Sequence, residues 1–156
     1  MPPSTAYASS LSFLLSQVGA ATARSFAAEL ATLDVSPRAF GVLSNLAARG
    51  GQTQQELADA LGIHRNNMVA LVDALEGTGW VRRQRHPHDR RAFEVRLTER
   101  GEQVVGRVAR LIPAIDERIG RSLDDRQRGA LVEALQQIAG DLGLHPGVHP
   151  HLGAGR

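Results

Sequence analysis

TQQELADALGIHRNNMVALVDALEGTGWVRRQRHPHDRRAFEVRL, residues 53–97, reads as a short helix, a tight turn, a second helix and two strands joined by a basic loop. Thr53 with Glu56 three residues on forms a capping box. The hydroxyl and the carboxylate satisfy amide groups that a first helical turn leaves without partners. Leu57 and Leu61 lie one turn apart on an inner face, and Gly62 can take the left-handed conformation that ends a helix. After Ile63, residues Met68, Leu71, Val72 and Leu75 follow the i, i+3, i+4, i+7 spacing of a buried stripe. Arg65, Asn66, Asn67, Ala70 and Asp73 are left on the other face. Two short helices joined by a glycine-containing turn form a helix-turn-helix, whose second helix can enter a DNA major groove.

Gly77 and Gly79 stop that helix. Trp80–Arg85 can form one strand, and Phe93–Leu97 alternates apolar and polar as a half-buried strand does. Between them HPHDRRA, with Pro87 and Asp89, reads as a loop. Residues 80–97 carry six Arg against two acids, a net of +4, whereas the whole chain is only +2. The positive field is therefore concentrated on this hairpin, where a phosphate-facing wing would need it.

These residues also carry a resemblance. L-A-x-x-L-G-I (Leu57 to Ile63), L-V-D-x-L-E-x-x-G-W-V (Leu71 to Val81), D-R-R (Asp89 to Arg91) and L-T-x-x-G (Leu97 to Gly101) stand in order at spacings that resemble the MarR family of winged-helix transcriptional regulators. The resemblance implies a homodimer that binds a pseudo-palindromic operator in double-stranded DNA, usually as a repressor released by a small-molecule effector. It also implies that Arg91, two residues after Asp89, pairs with that Asp to hold the wing.

The flanks fit this plan as a mainly α (α+β) fold. A first helix over about 6–33 shows Leu11, Leu14, Leu15, Val18, Phe26, Leu30 and Leu33 without one narrow stripe, as expected of a helix packed on two sides. Ser36-Pro37 starts the next helix, with Phe40, Leu43, Leu46 and Ala47 inward and Gly50-Gly51 at its end. Thr98 caps a long helix carrying Val104, Val105, Val108, Leu111, Ile112, Ile115 and Ile119, which Pro113 should kink or deprive of one hydrogen bond. Asp124 and Gln127 form the capping box of a last helix bearing Leu131, Leu135, Ile138 and Leu142. The expectation is one domain over 1–144, with a winged core at about 36–97 and dimerisation helices at about 6–33 and 98–143. Residues 1–5 and the tail 145–156 read as loose.

Within this plan His64, Arg65, Asn66 and Asn67 are the base-reading candidates. Asn pairs with adenine and Arg with guanine through two hydrogen bonds each. Arg83, Arg85, Arg90 and Arg91 are candidates for phosphate or minor-groove contact, and the choice between Arg90 and Arg91 for the groove stays open. Asp89 is the wing-stabilising acid. Phe13, Phe26, Phe40 and Trp80 are core residues that could alternatively line an effector pocket. No cofactor and no metal site is expected, because the six His are split between helix, wing and tail and do not converge. The chain has no Cys, which excludes disulfides, thiolate sites and cysteine oxidation sensing.

All 18 basic residues are Arg, a compositional bias that by itself says nothing about nucleic acid. No apolar run approaches the roughly 20 residues of a membrane span. LSFLLSQVGAA (11–21) lacks a preceding basic residue and is interrupted by Ser12, Ser16 and Gln17, so a cytoplasmic protein with no membrane partner is expected. No nucleophile elbow, Walker-type loop or His-Glu-x-x-His is present, so the chain does not read as an enzyme. The rival with most in its favour is a winged-helix module whose Arg hairpin docks an acidic protein.

Overall fold

The computed structural model describes residues 7–149, and within them lie seven α-helices, a 3₁₀ turn at 7–9 and one two-stranded sheet. The expected looseness of residues 1–5, and of 150–156 in the tail, falls outside the described residues. The central lobe is built from α2 (Pro37–Arg49), α3 (Gln54–Leu61), α4 (Arg65–Gly77), β1 (Val81–Arg85) and β2 (Phe93–Leu97). The caps behave as the sequence suggests. The Ser36 hydroxyl accepts from the Ala39 N–H at 3.1 Å, with Pro37 opening α2. Thr53 and Glu56 complete both halves of the capping box, at 3.2 and 2.8 Å. Gly62 closes α3 in the left-handed region at φ 61°, a conformation that costs a residue with a Cβ about 1 kcal/mol or more.

The strands pair antiparallel with Val81 opposite Leu97 and Arg85 opposite Phe93. A third segment beside the two strands was not foreseen. The Gln52 N–H donates to the Val95 carbonyl at 3.1 Å, and the Gln52 carbonyl accepts from the Val95 N–H at 2.7 Å, so the α2–α3 connection lies against β2. The Gln52 side chain, buried beneath, donates to Asn45 Oδ1 at 2.8 Å.

The core sits where these elements meet. Leu57 and Leu61 of α3 and Met68, Val72 and Leu75 of α4 are buried with Val42, Leu43, Leu46, Val81 and Val95. Burial of such side chains contributes about 1.5–3 kcal/mol each, which is what the periodic apolar positions are for. Val104 and Val108 of α5 (Glu99–Ala109) complete it from below.

The long helix expected after Thr98 is divided. α5 ends at Ala109 and α6 (Ile112–Ile119) begins after Arg110 and Leu111. Pro113 explains the break, because it has no N–H for the Ala109 carbonyl and its ring crowds that carbonyl. α6 is tied back to α1 (Leu11–Ala31), where the Arg118 guanidinium donates to Glu29 at 3.2 Å and to Ser25 at 2.9 Å. α7 (Asp125–Asp141) carries the Asp124–Gln127 capping box and is pinned to α6 by Arg128 and Glu117 at 2.6 and 3.1 Å.

No residue of α7 is buried. Leu131, Val132 and Leu135 of α7 and Leu11, Leu14, Leu15 and Val18 of α1 all lie open, with Leu11 at 66% exposure. Among the described residues no helix is long and apolar enough to cross a membrane.

The tail expected to be loose from residue 145 onward is partly folded. His145–His149 makes a turn in which the Val148 N–H donates to the His145 carbonyl at 3.2 Å, and Val148 packs against the core cluster. One apolar side chain among Gly, Pro and His is enough to give this short piece a place to pack.

The junction between wing and α5 explains the Leu-Thr-x-x-Gly motif. Thr98 Oγ1 donates to the Gly79 carbonyl at 2.5 Å and accepts from the Gly101 N–H at 3.1 Å. The Thr98 N–H donates to the Trp80 carbonyl at 3.0 Å. A Cβ on Gly101 would overlap that same Trp80 carbonyl and press on Leu97. Gly101→Ala is therefore expected to destabilise the fold by about 1–3 kcal/mol, the usual cost of overpacking. Denaturant unfolding checks this, and a midpoint equal to that of the parent protein would contradict the tight approach.

Candidate nucleic-acid interface

His64 is the N-cap of α4, and its Nδ1 accepts from the Asn66 N–H at 3.3 Å. An accepting Nδ1 leaves the ring proton of the neutral imidazole on Nε2. Arg65, Asn66 and Asn67 occupy the first turn, exposed, and make no side-chain hydrogen bond among the described residues. The buried stripe of Met68, Val72 and Leu75 turns this polar turn outward.

β1 runs beside the second half of α4, joined by a clamp centred on Arg83. The Arg83 guanidinium donates through Nη1 to Glu76 at 2.6 Å, through Nη2 to Asp73 at 2.5 Å, and through Nε to Gln54 at 2.9 Å. Its main-chain N–H adds a bond to Glu76 at 3.0 Å. That N–H and then the guanidinium hold the Glu76 carboxyl below its ordinary value. Burial works against the Arg83 charge, but the bonds to Asp73 and Glu76 outweigh it and hold its pKa above the ordinary value. Arg83, expected to contact DNA, is thus engaged inside the lobe.

The wing loop is built by main-chain and short side-chain bonds. The His86 N–H donates to the Ala92 carbonyl at 2.9 Å, and the Ala92 N–H to the Asp89 carbonyl at 3.1 Å. Asp89 Oδ1 accepts from the Arg91 main-chain N–H at 2.9 Å. This corrects the pairing implied by the family motif. Asp89 holds the loop through the Arg91 backbone, an Asx turn, and not through its guanidinium. Arg85 also serves the loop: its Nη1 donates to the Arg90 carbonyl at 2.9 Å, and its guanidinium lies 5.5 Å over the Phe93 ring. That leaves Arg90 and Arg91 exposed, with no side-chain partner among the described residues. Opposite Gln84 in the hairpin, Glu94, only 2% exposed, accepts from Arg96 at 2.5 Å and from Gln84 at 2.7 Å. Those bonds, Arg96 foremost, hold its carboxyl below the ordinary range.

The four aromatics considered for a pocket do not converge. Phe26 and Phe40 pack edge to face at 5.4 Å, Phe13 pairs with Tyr7 at 5.0 Å, and Trp80 packs against the core. A cavity of about 440 Å³ instead opens between α2, the wing's base and α5, lined by Leu46, Ala47, Arg82, Arg96, Leu97 and Val105 among others. His86 and His88 stand edge to face, 6.1 Å between ring centres. Among the described residues no three His, Asp or Glu side chains gather to hold a metal ion. Gln54 was missed as a member of the Arg83 clamp. A lone Gln at the start of α3 gives no sequence signal for a partner 29 residues away.

The model of the MarR family matches residues 33–92. A Thauera aromatica protein assigned as transcriptional regulator for the hcr operon is 31% identical over 132 residues, covering 84% of this chain and 80% of that protein. The structure of the transcriptional repressor CouR bound to a 23-mer DNA duplex is similar with a TM-score of 0.72 at 34% identity, covering 86% of this chain and 96% of CouR. Apo MarR from E. coli gives a TM-score of 0.76 at 24% identity over 83% of this chain and 96% of that one, a likeness of fold. With its capped helix-turn-helix, its arginine-bearing wing and these relatives, the chain belongs to the MarR family of winged-helix transcriptional regulators.

Proposed function

We propose that the chain is a homodimeric repressor that grips a pseudo-palindromic operator in duplex DNA with paired recognition helices and wings. The observation that carries this reading is the pairing of an exposed Arg65-Asn66-Asn67 turn with a wing whose Arg90 and Arg91 are not spent on internal contacts. Asn66 and Arg65 have the donor and acceptor geometry to read major-groove edges. Arg90 or Arg91 suits a narrow minor groove. The DNA-bound repressor CouR supports the same reading by likeness.

Dimerisation rests on the open apolar residues of α1 and α7, which a second copy would cover. A two-fold dimer meets successive major grooves when its recognition helices stand roughly 34–36 Å apart. A small ligand would release the DNA by binding more tightly to a dimer with another spacing. This effector step rests on the family resemblance, with the 440 Å³ cavity as one place for such a molecule.

Three expectations test this. Operators selected from a random pool, compared with scrambled duplexes in gel shifts, should show Asn66→Ala losing preference at one or two positions, about 1–3 kcal/mol each. Equal losses on both duplexes would mean that the reading face lies elsewhere. Arg90→Ala should weaken binding to every duplex and lower the salt slope of the dimer by about 1.8, roughly 0.9 for each subunit's contact. In sedimentation the chain should run as a dimer, Leu135→Asp as a monomer with weakened operator binding, and a chain lacking residues 145–156 still as a dimer. No binding to mixed-sequence DNA at low salt would instead favour an acidic protein partner.

A further inference from the structure

We propose that Arg83 governs DNA affinity at second hand, by offsetting one of the two carboxylate charges that the recognition helix carries on its reading face, and not by touching a phosphate. The proposal rests on the reading of α4 and the wing as a DNA interface.

The placement of the two acids follows from helix geometry. Asp73 comes seven residues after Asn66, and Glu76 eleven after Arg65. At 3.6 residues per turn both spacings return to nearly the same direction, so each stripe of candidate base readers runs into an acid about 10–16 Å further along. Asp73 and Glu76 are both exposed, their side chains at 60% and 41%. Left alone, two carboxylates on this face would stand in the field of the DNA backbone and oppose binding.

Arg83 is the cation placed against them. Its three guanidinium nitrogens already donate to Asp73, Glu76 and Gln54. Its side chain, at 25% exposure, is the least open of the three charged partners. By contrast Arg90 and Arg91, seven and eight residues further along the chain, are exposed with no side-chain partner among the described residues. The hairpin's Arg therefore divide their work. Arg90 and Arg91 present charge to DNA, Arg85 and Arg96 hold the wing together, and Arg83 offsets part of the opposing charge of the neighbouring helix.

The experiment is a double-mutant cycle on the full chain, read by fluorescence anisotropy with a mixed-sequence duplex at several salt concentrations. Arg83→Ala should weaken binding about ten-fold or more, the size of one uncompensated charge interaction near a surface. Asp73→Asn with Glu76→Gln keeps the hydrogen-bond acceptors but removes both charges, and should bind as tightly as the parent or more tightly. In that neutral background Arg83→Ala should cost no more than about two-fold, and the salt slope should stay within about 0.5 of the background value.

An equal cost in both backgrounds, with the dimer's slope reduced by about 1.8 (roughly 0.9 per subunit), would make Arg83 a direct phosphate contact and overturn the proposal. Weaker binding by the neutral pair would also overturn it, because that pattern belongs to an ion pair that serves the fold alone. This second comparison decides the matter even if Arg83→Ala fails to fold. If the parent protein itself ignores duplex DNA at low salt, the DNA-binding reading fails first and this proposal falls with it.

Discussion

The close approach of Gly101 to the Trp80 carbonyl is the contact on which the arrangement turns. Trp80 ends the run from the recognition helix into the wing, and Gly101 lies in the first turn of the helix that leaves the lobe. Thr98 bonds to Gly79 and Gly101 through its hydroxyl and to Trp80 through its main-chain N–H, so the Gly79–Trp80 segment and the start of α5 meet at one residue. No larger residue fits at 101 without moving the wing relative to α5. The orientation of the wing relative to α5 is therefore fixed by a missing methyl group and one hydroxyl.

Much of this was legible because it rests on local chemistry. The Thr53–Glu56 and Asp124–Gln127 boxes, the Ser36-Pro37 start and the left-handed Gly62 are each decided within a few residues, and each is found where the pattern puts it. The stripe of Met68, Val72 and Leu75 is likewise a matter of helical period. The rung at Gln52 was not legible, since one residue paired to a strand has no periodicity to reveal it. The division of the helix after Thr98 was half legible. Pro113 announced a disturbance, but whether a helix bends or stops depends on what its two halves pack against.

The interface shows the same limit more sharply. Counting charges places six Arg on the hairpin, yet composition does not say which are spent inside the fold. Arg83 is claimed by Asp73 and Glu76, Arg85 by the Arg90 carbonyl and the Phe93 ring, and Arg96 by the buried Glu94. These partners lie up to ten residues away in sequence and across two elements, so only the folded geometry assigns them. Asp89 bonds within the loop to the chain's own amide, a bond that the identity of the following side chains cannot announce.

The interruption at Arg110 and Leu111 has a mechanical meaning. α5 contributes Val104 and Val108 to the lobe's core, whereas α6 is held to α1 through Arg118. The joint between them has already given up the rung that an unbroken helix would have there, because proline offers no amide proton. Swivelling one half against the other thus forfeits nothing from residue 113, and the main-chain ties left at the joint include the Leu111 N–H to the Val108 carbonyl at 2.9 Å and the Ile115 N–H to the Leu111 carbonyl at 3.3 Å. The rest of the resistance to such a swivel resides in side chains such as Arg118, which sequence variation can tune without touching the lobe.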